Sequence, residues 1–282
     1  MKTTVYYKTK RITVNLLIHL FLLAVSSTCL FPLLWMVSSS LKTQGEIFKD
    51  TSFLPKVFHF ENYYLAWMEG GFGRYFLNSI FYTVSVVIGI VIVASLAAYA
   101  FSRLHFPGKN ILFFMFMAAM MIPIPGSFVP LYILLNKLHL RNTPLGYILA
   151  MINVGLSTSI FLLKTFFDKM PKELEDAARI DGCSKLGIWW NVALPLAKPV
   201  LAVVVVFNAL TVWNEYILAL IIFDSRALMP LQVALMTFQG EFITRYPLLM
   251  AGLTITALPI IIVYLLMQKY IVKGVTAGAI VG

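Results

Sequence analysis

Six long apolar stretches constrain the fold of this chain more than any other feature of its sequence. A membrane core about 30 Å thick is crossed by a helix of roughly 20 apolar residues. Stretches of this kind lie at residues 12–38, 76–101, 111–135, 145–167, 199–223 and 246–267. With 60% hydrophobic and 12% charged residues, the composition excludes an ordinary soluble domain and a disordered chain. We therefore predict an all-α polytopic membrane protein with six transmembrane helices, forming one transmembrane domain over residues 1–282.

Two of these stretches have unusual features. The first is too long for the apolar region of a signal peptide, about 7–15 residues, so we expect it to be retained as a span. The third contains Pro123, Pro125, Gly126 and Pro130, which predict a kink or a break in its second half. Such breaks are tolerated where the freed backbone groups are buried in protein or face a water-filled cavity.

The distribution of basic residues predicts the orientation in the membrane. If the N-terminus is cytoplasmic, 14 of the 22 Lys and Arg residues fall on the cytoplasmic side, as the positive-inside rule expects. Both termini, and the short tail 268–282, are then cytoplasmic. The net charge of +10 therefore reflects topology, and no basic stripe with interleaved aromatics indicates nucleic-acid binding.

Catalytic and metal-binding motifs are not found in the sequence. The two cysteines, Cys29 and Cys183, cannot form a disulfide framework or a four-cysteine zinc site. The four histidines are scattered, and no phosphate-binding glycine loop ending in Lys-Ser or Lys-Thr is present. We expect neither a catalytic residue nor a bound cofactor or metal in this chain.

The segment 168–198, between the fourth and fifth stretches, has the pattern of two short helices joined by a sharp turn. Pro171 suits a first helical position, and carboxylates follow in the first turns, where the positive end of a helix favours them. Gly182 is expected to stop this helix in a left-handed conformation, and Ser184 to cap the next helix. Pro195 and Pro199 are expected to mark the end of that second helix and the entry to the fifth apolar stretch.

Residues Ala177 and Ala178 are placed by this pattern at the front of the segment, next to the carboxylates. The segment is then either an amphipathic hairpin on the lipid headgroups or a rigid knob that docks into a partner protein. Small residues allow close approach, and a turn fixed by glycine is stiff. The residues alone do not separate these two hypotheses.

A longer motif in this segment resembles the signature of ABC importer permeases, which is Glu-Ala-Ala, three residues, Gly, nine residues, Ile-x-Leu-Pro. Here it reads Asp176-Ala177-Ala178, Gly182 and Val192-Ala193-Leu194-Pro195, with Asp for Glu and Val for Ile. Three further stretches, Asn78-Ser79, Trp213-Asn214-Glu215 and 268–278, are similar to the maltose-type carbohydrate permeases, and in particular to their six-span MalG-like subunit.

The resemblance implies a subunit of a sugar importer in a bacterial cell membrane. Its partners would be a second permease subunit in a heterodimer, two ATP-binding subunits that hold ATP and Mg, and an extracytoplasmic sugar-binding protein. The residues that would couple to the ATP-binding subunits are Glu175, Asp176, Ala177, Ala178, Gly182, Leu194 and Pro195. The resemblance also implies that the tail reaches the interface of the ATP-binding subunits and that residues 224–245 probe the binding protein's sugar site.

Polar residues inside the apolar stretches could line a path for a hydroxyl-rich solute. The candidates are Asn153 and Ser157 in the fourth stretch and Asn208, Thr211, Asn214 and Glu215 in the fifth. Asn208, Thr211 and Glu215 are spaced to share one helix face. The alternative is interhelical hydrogen bonding, which we favour for Glu215.

Two hypotheses from other classes remain open. One is an ion-coupled secondary transporter with Glu215 as its proton carrier, since an ionisable group within a span is expensive and therefore often functional. The other is a membrane scaffold whose hairpin binds an unrelated protein. Small residues such as Ser85 and Gly89 are expected to be helix-packing contacts.

Overall fold

The computed structural model describes residues 2–49, 52–121, 124–240 and 244–279. The regular secondary structure of this part of the chain is helical, with loops between the helices and one isolated β-bridge that pairs Gln239 with Thr244. Its helices are α1 (Lys2–Ser40), α2 (Gln44–Lys49), α3 (Glu61–Glu69), α4 (Phe72–Arg103), α5 (Lys109–Ala119), α6 (Ile124–Lys137), α7 (Pro144–Lys169), α8 (Glu173–Ile180), α9 (Lys185–Ile188), α10 (Leu194–Leu196), α11 (Lys198–Asn214), α12 (Ile217–Ile222), α13 (Leu231–Ala234) and α14 (Tyr246–Ala279). A π-helical turn, Trp189–Ala193, joins α9 to α10, and 3₁₀ turns lie at Arg226–Leu228 and Leu235–Phe238.

Four of these helices are long and apolar enough to cross a membrane. They are Val14–Ser40 of α1, Phe72–Arg103, Pro144–Lys169 and Tyr246–Gln268 of α14, with mean hydropathies from 1.8 to 2.5. The prediction of an all-α, polytopic membrane protein is confirmed at this level. The helix α14 continues to Ala279 through most of the tail, and Ile280–Gly282 lie outside the described residues.

The third apolar stretch is divided into α5 and α6, as its prolines predicted. The helix α5 ends at Ala119, and the next helix begins at Ile124. Pro123 lies outside the described residues. Pro130 lies within α6 without ending it.

The fifth apolar stretch is also divided, which the sequence did not predict. The helix α11 ends at Asn214, Glu215 has an extended backbone with ψ 132°, and α12 begins two residues later. Upstream, the helical run Lys185–Leu196 meets α11 at a bend of 80°. Residues 199–223 therefore do not form one continuous helix.

Two compact units can be distinguished in the chain. One comprises residues 1–70 and 238–255, and the other comprises residues 71–237 and 256–282. In the first unit, the Gln44 side chain forms two hydrogen bonds with the backbone at the start of α14. Its Nε2 donates to the Thr244 carbonyl at 2.8 Å, and its Oε1 accepts from the Tyr246 amide at 3.0 Å.

In the second unit, α4 packs along α7 and forms the core. Tyr82 of α4 and Tyr147 of α7 are fully buried, with ring centroids 4.8 Å apart. A Cβ atom on Gly89 would lie 2.4 Å from Ile152 Cδ1, so the two helices approach closely because this position lacks a side chain. The prediction that Gly89 is a helix-packing residue is confirmed.

Candidate functional site

The segment 173–196, which we call the hairpin, begins with α8 and turns sharply at a glycine. Gly182 has φ +82°, a left-handed conformation that suits glycine. The Gly182 amide donates to the Arg179 carbonyl at 3.0 Å, and the Cys183 amide to the Ala178 carbonyl at 2.9 Å. These two bonds form a Schellman motif, which satisfies the last carbonyls of α8. The predicted stop at Gly182 is confirmed.

The second arm of the hairpin begins at the predicted cap. The hydroxyl of Ser184 accepts a hydrogen bond from the Gly187 amide at 3.2 Å. The arm then runs through the π-helical turn Trp189–Ala193 and ends at Leu196, one residue after Pro195, and α11 begins at Lys198, one residue before Pro199. A proline in an α-helix clashes with the carbonyl four residues earlier, and we attribute the wider turn before Pro195 to relief of that clash.

The two faces of α8 have different surroundings. Glu175 and Ala178, three residues apart and on one face, are buried, whereas Asp176 and Ala177 are exposed. Ala178 is only 8% exposed and packs in the hydrophobic core of the unit. The prediction that both alanines lie at the front is therefore wrong for Ala178. Of the four predicted coupling residues on α8, only Asp176 and Ala177 are exposed.

A buried ion pair attaches α8 to the end of α4. Arg103 Nε lies 2.8 Å from Glu175 Oε1, and the two side chains are 7% and 5% exposed. Arg103 also donates to the Met170 carbonyl. Arg103 could not be predicted from the sequence because it lies 72 residues before its partner, and no local pattern joins them.

The outward surface of the hairpin is largely apolar and carries charged groups at its border. Asp176 and Arg179, both more than half exposed, form an ion pair at 3.0 Å. Leu194 is half-buried and Pro195 is exposed. The large exposed apolar side chains are Leu174, Ile180, Leu186, Trp190 and Leu196, with Ile180 87% exposed. An apolar patch with a polar border is typical of a protein-docking surface.

The polar residues predicted within the spans do not form one site. Asn208 is buried and donates to Ser159 Oγ at 3.0 Å, which joins α11 to α7. Gly155 makes room for this bond, since a Cβ there would lie 2.0 Å from Asn208 Oδ1. Asn208 therefore makes an interhelical hydrogen bond, which was the alternative to lining a path for the solute.

The remaining candidates of the fifth stretch bond to nearby backbone groups, and Asn214 Oδ1 also accepts from Gln232 Nε2 at 3.4 Å. Thr211 and Asn214 are exposed, and each donates to a carbonyl four residues earlier in α11. The carboxylate of Glu215 accepts from the Leu218 amide at 2.8 Å and the Ala219 amide at 3.3 Å. It caps α12 where α11 has ended, so the prediction that it shares a helix face with Asn208 is wrong. Capping explains a carboxylate here without a proton-carrying role.

Asn153 and Ser157 line a cavity of about 480 Å³ in the second unit. Its walls come from α6, α7, α12 and the end of α5. Two further uncharged polar residues, Ser127 and Thr158, contribute to the lining and were missed by the sequence analysis. The cavity thus combines apolar walls with a few amide and hydroxyl groups, as sites for small polar solutes often do.

The loop that follows α12 is held along α4. Asn78 Nδ2 donates to the carbonyls of Ala227 and Met229 at 2.9 and 3.0 Å. Ser79 Oγ accepts from the Leu231 amide at 2.7 Å. The Asn-Ser pair noted in the sequence therefore fixes the backbone of this loop, because its side chains satisfy polar groups of the loop that have no partner in a helix.

Comparison with known proteins assigns the family. The model of the "binding-protein-dependent transport system inner membrane component" family matches residues 89–277. The chain belongs to this family. The permease is 37% identical to the probable ABC transporter permease YurM of Bacillus subtilis, over 94% of this chain and 87% of YurM. It is 32% identical to the diacetylchitobiose uptake permease NgcG of Streptomyces coelicolor, over 92% and 87% of the two chains.

A solved structure is also similar to the permease. A chain of a bacterial ABC transporter for import of the acidic polysaccharide alginate matches with a TM-score of 0.81 and 26% identity, covering 91% of the permease and 96% of that chain. The resemblance to ABC importer permeases is thus confirmed. The chain is a multi-pass inner-membrane permease component of such a transporter.

Proposed function

We propose that this permease moves a sugar, a di- or oligosaccharide, into the cytoplasm as part of a binding-protein-dependent ABC importer. Relatives named for diacetylchitobiose and for arabinooligosaccharide uptake support a carbohydrate cargo. The cavity lined by Asn153 and Ser157 supports it as well, because amide and hydroxyl groups can replace the water around sugar hydroxyls. Ser127 and Thr158 extend this set.

The proposed topology has six spans with both termini in the cytoplasm. The spans are α1, α4, the pair α5 and α6, α7, the pair α11 and α12, and α14. The excess of Lys and Arg on the cytoplasmic side supports this orientation. It places the hairpin in the cytoplasm, in a single transmembrane domain of a bacterial cell membrane.

The hairpin is the proposed element that transmits movement of the ATP-binding subunits to the spans. The observation that supports this role is its rigid attachment to α4. The turn at Gly182 and the Arg103–Glu175 pair fix α8 to the span α4. The exposed residues Asp176 and Ala177, with the apolar patch, form the surface that docks to the ATP-binding subunits, where ATP and Mg are bound. Buried Glu175 and Ala178 position that surface and do not form part of it.

Transport then follows from a population shift. ATP binding closes the two ATP-binding subunits, the hairpin moves with them, and the spans change from inward-facing to outward-facing. The second permease subunit completes the path, and the sugar-binding protein delivers the cargo on the outer side. In this topology the loop of residues 224–240 and 244–245 faces that protein, and residues 241–243 of the predicted segment lie outside the described residues. The anchoring of Ala227 and Met229 by Asn78 supports a stiff loop there.

To test the proposal, the intact complex is purified and reconstituted in membrane vesicles. Sugars are then screened for stimulation of ATP hydrolysis and for uptake. We expect uptake that vanadate inhibits and that a protonophore does not affect while ATP is held high. A Gly182→Val variant should insert normally and lose uptake, because valine resists φ +82°. Uptake that collapses with the protonophore would contradict the proposal, as would normal transport by Gly182→Val.

A further inference from the structure

An exposed apolar surface on the segment that follows α1 has no role in the proposed coupling or transport path. We call it the aromatic face. It consists of Leu54, Val57, Phe58, Phe60, Tyr64, Trp67 and Met68, which are between 39% and 67% exposed. The rings of Phe58 and Phe60 stack with centroids 6.0 Å apart. A contiguous apolar surface of this kind marks a membrane or protein contact.

The helix α3 leaves this face open because its opposite side packs on its own chain. Asn62 donates to the carbonyls of Ser40 and Lys42 at 2.9 and 3.1 Å, and Ala66 is fully buried. The exposed residues Phe60, Tyr64, Trp67 and Met68 follow the spacing of an apolar helical stripe. The side of α3 that carries Asn62 and Ala66 is therefore packed on the chain itself, and the opposite side is open.

The start of the aromatic face lies beside the exposed apolar part of α1. The ring of Phe53 is 6.2 Å from those of both Phe31 and Trp35, and Ser38 donates to the Phe53 carbonyl. Phe31 lies about 14 Å along the helix axis before the end of α1. The chain thus turns back along the last turns of α1, and Leu54 continues the exposed apolar surface of that helix.

The acidic residues of α3 are paired. Glu61 and His59 form a contact of 2.5 Å, and this hydrogen bond lowers the pKa of Glu61. Glu69 pairs with Arg245. Pairing reduces the free-energy cost of bringing a carboxylate towards a medium of low polarity.

We propose that the aromatic face lies in the boundary between headgroups and acyl chains, with α3 parallel to the membrane plane. Interfacial helices of this kind enter the boundary by about 5–10 Å. Tyr64 and Trp67 suit that depth, because each combines an apolar ring with a polar group. The outer leaflet follows from the proposed topology, whereas the contact with lipid is independent of the cargo.

The experiment uses the intact complex in vesicles of phosphatidylethanolamine and phosphatidylglycerol, with Cys29 and Cys183 replaced by serine. A nitroxide is attached at Tyr64→Cys or at Met68→Cys, and in a control at Lys49→Cys, an exposed charged position outside the aromatic face. Power-saturation electron paramagnetic resonance compares collisions with oxygen, which concentrates in lipid, and with a water-soluble nickel chelate. We expect oxygen to dominate at the first two positions and the nickel chelate at Lys49.

Nickel accessibility at Tyr64 and Met68 equal to that at Lys49 would overturn the proposal, because the face would then be in water. Low accessibility to both reagents, relieved when the partner permease or the binding protein is removed, would also overturn it in favour of a protein contact. Two label positions guard against one variant failing to assemble, which co-purification reveals. Since the readout needs no transport, its outcome is separate from that of the proposed function.

Discussion

The buried ion pair between Arg103 and Glu175 offers the sharpest test of how the hairpin is positioned. At 2.8 Å and an effective dielectric constant of 20, the Coulomb attraction between the two charges is roughly 6 kcal/mol before desolvation. Removing one member of such a pair leaves the other charge buried without its partner. This change typically destabilises a protein by about 3–5 kcal/mol.

The perturbation is Glu175→Gln, which keeps the shape of the side chain and removes its charge. We expect local opening of α8 to increase about 100-fold or more, since 1.4 kcal/mol corresponds to a factor of ten. Hydrogen–deuterium exchange of the amides in residues 173–180 of the intact complex measures this opening. Sugar-stimulated ATP hydrolysis should fall in parallel, because a loose hairpin cannot move the spans.

The matched control is Glu173→Gln, which removes an exposed carboxylate from the same helix. It should leave amide protection within about twofold of the native level, since surface charges contribute little. Exchanging the two charges in the double variant Arg103→Glu, Glu175→Arg should restore part of the protection. Native protection in Glu175→Gln would refute the reasoning.

Three further predictions concern the hairpin surface, the core and the outer loop. Ala177→Trp should block co-purification with the ATP-binding subunits without lowering the melting temperature. Ala178→Trp should instead destabilise the permease by about 1–3 kcal/mol through overpacking. Equal melting temperatures for the two variants would contradict the exposure of Ala177 and the burial of Ala178. Gly155→Ala should force Asn208 aside and lower thermal stability by about 1–3 kcal/mol, and an unchanged transition would contradict the close approach. Asn78→Ala should weaken the response of ATP hydrolysis to the loaded binding protein, and a native response would show that loop anchoring is unimportant.

Several elements were predictable because their causes are local. Apolar stretches of sufficient length gave the positions of α4 and α7 to within a few residues. Gly182 and Ser184 marked the turn of the hairpin, since the left-handed conformation and the helix cap depend on neighbouring backbone groups. The prolines of the third stretch indicated a break for the same reason.

Other features were not predictable because they depend on residues distant in the sequence. The pairs Arg103–Glu175 and Asn208–Ser159 form only after the helices pack, and no spacing rule links their members. The break at Glu215 was missed because the stretch 199–223 has no glycine and no proline beyond Pro199, so no helix-breaking residue marks the point where α11 ends.

The sequence by itself thus determined the class of fold, the number of apolar stretches and the motif that identifies the family. These features depend on hydropathy and short-range geometry, which neighbouring residues decide. Only the tertiary structure decided which side of α8 faces outward. Burial of Glu175 against Arg103 turns that side inward and leaves Asp176 and Ala177 exposed, since an ion pair withdrawn from water fixes the rotation of the helix that carries it.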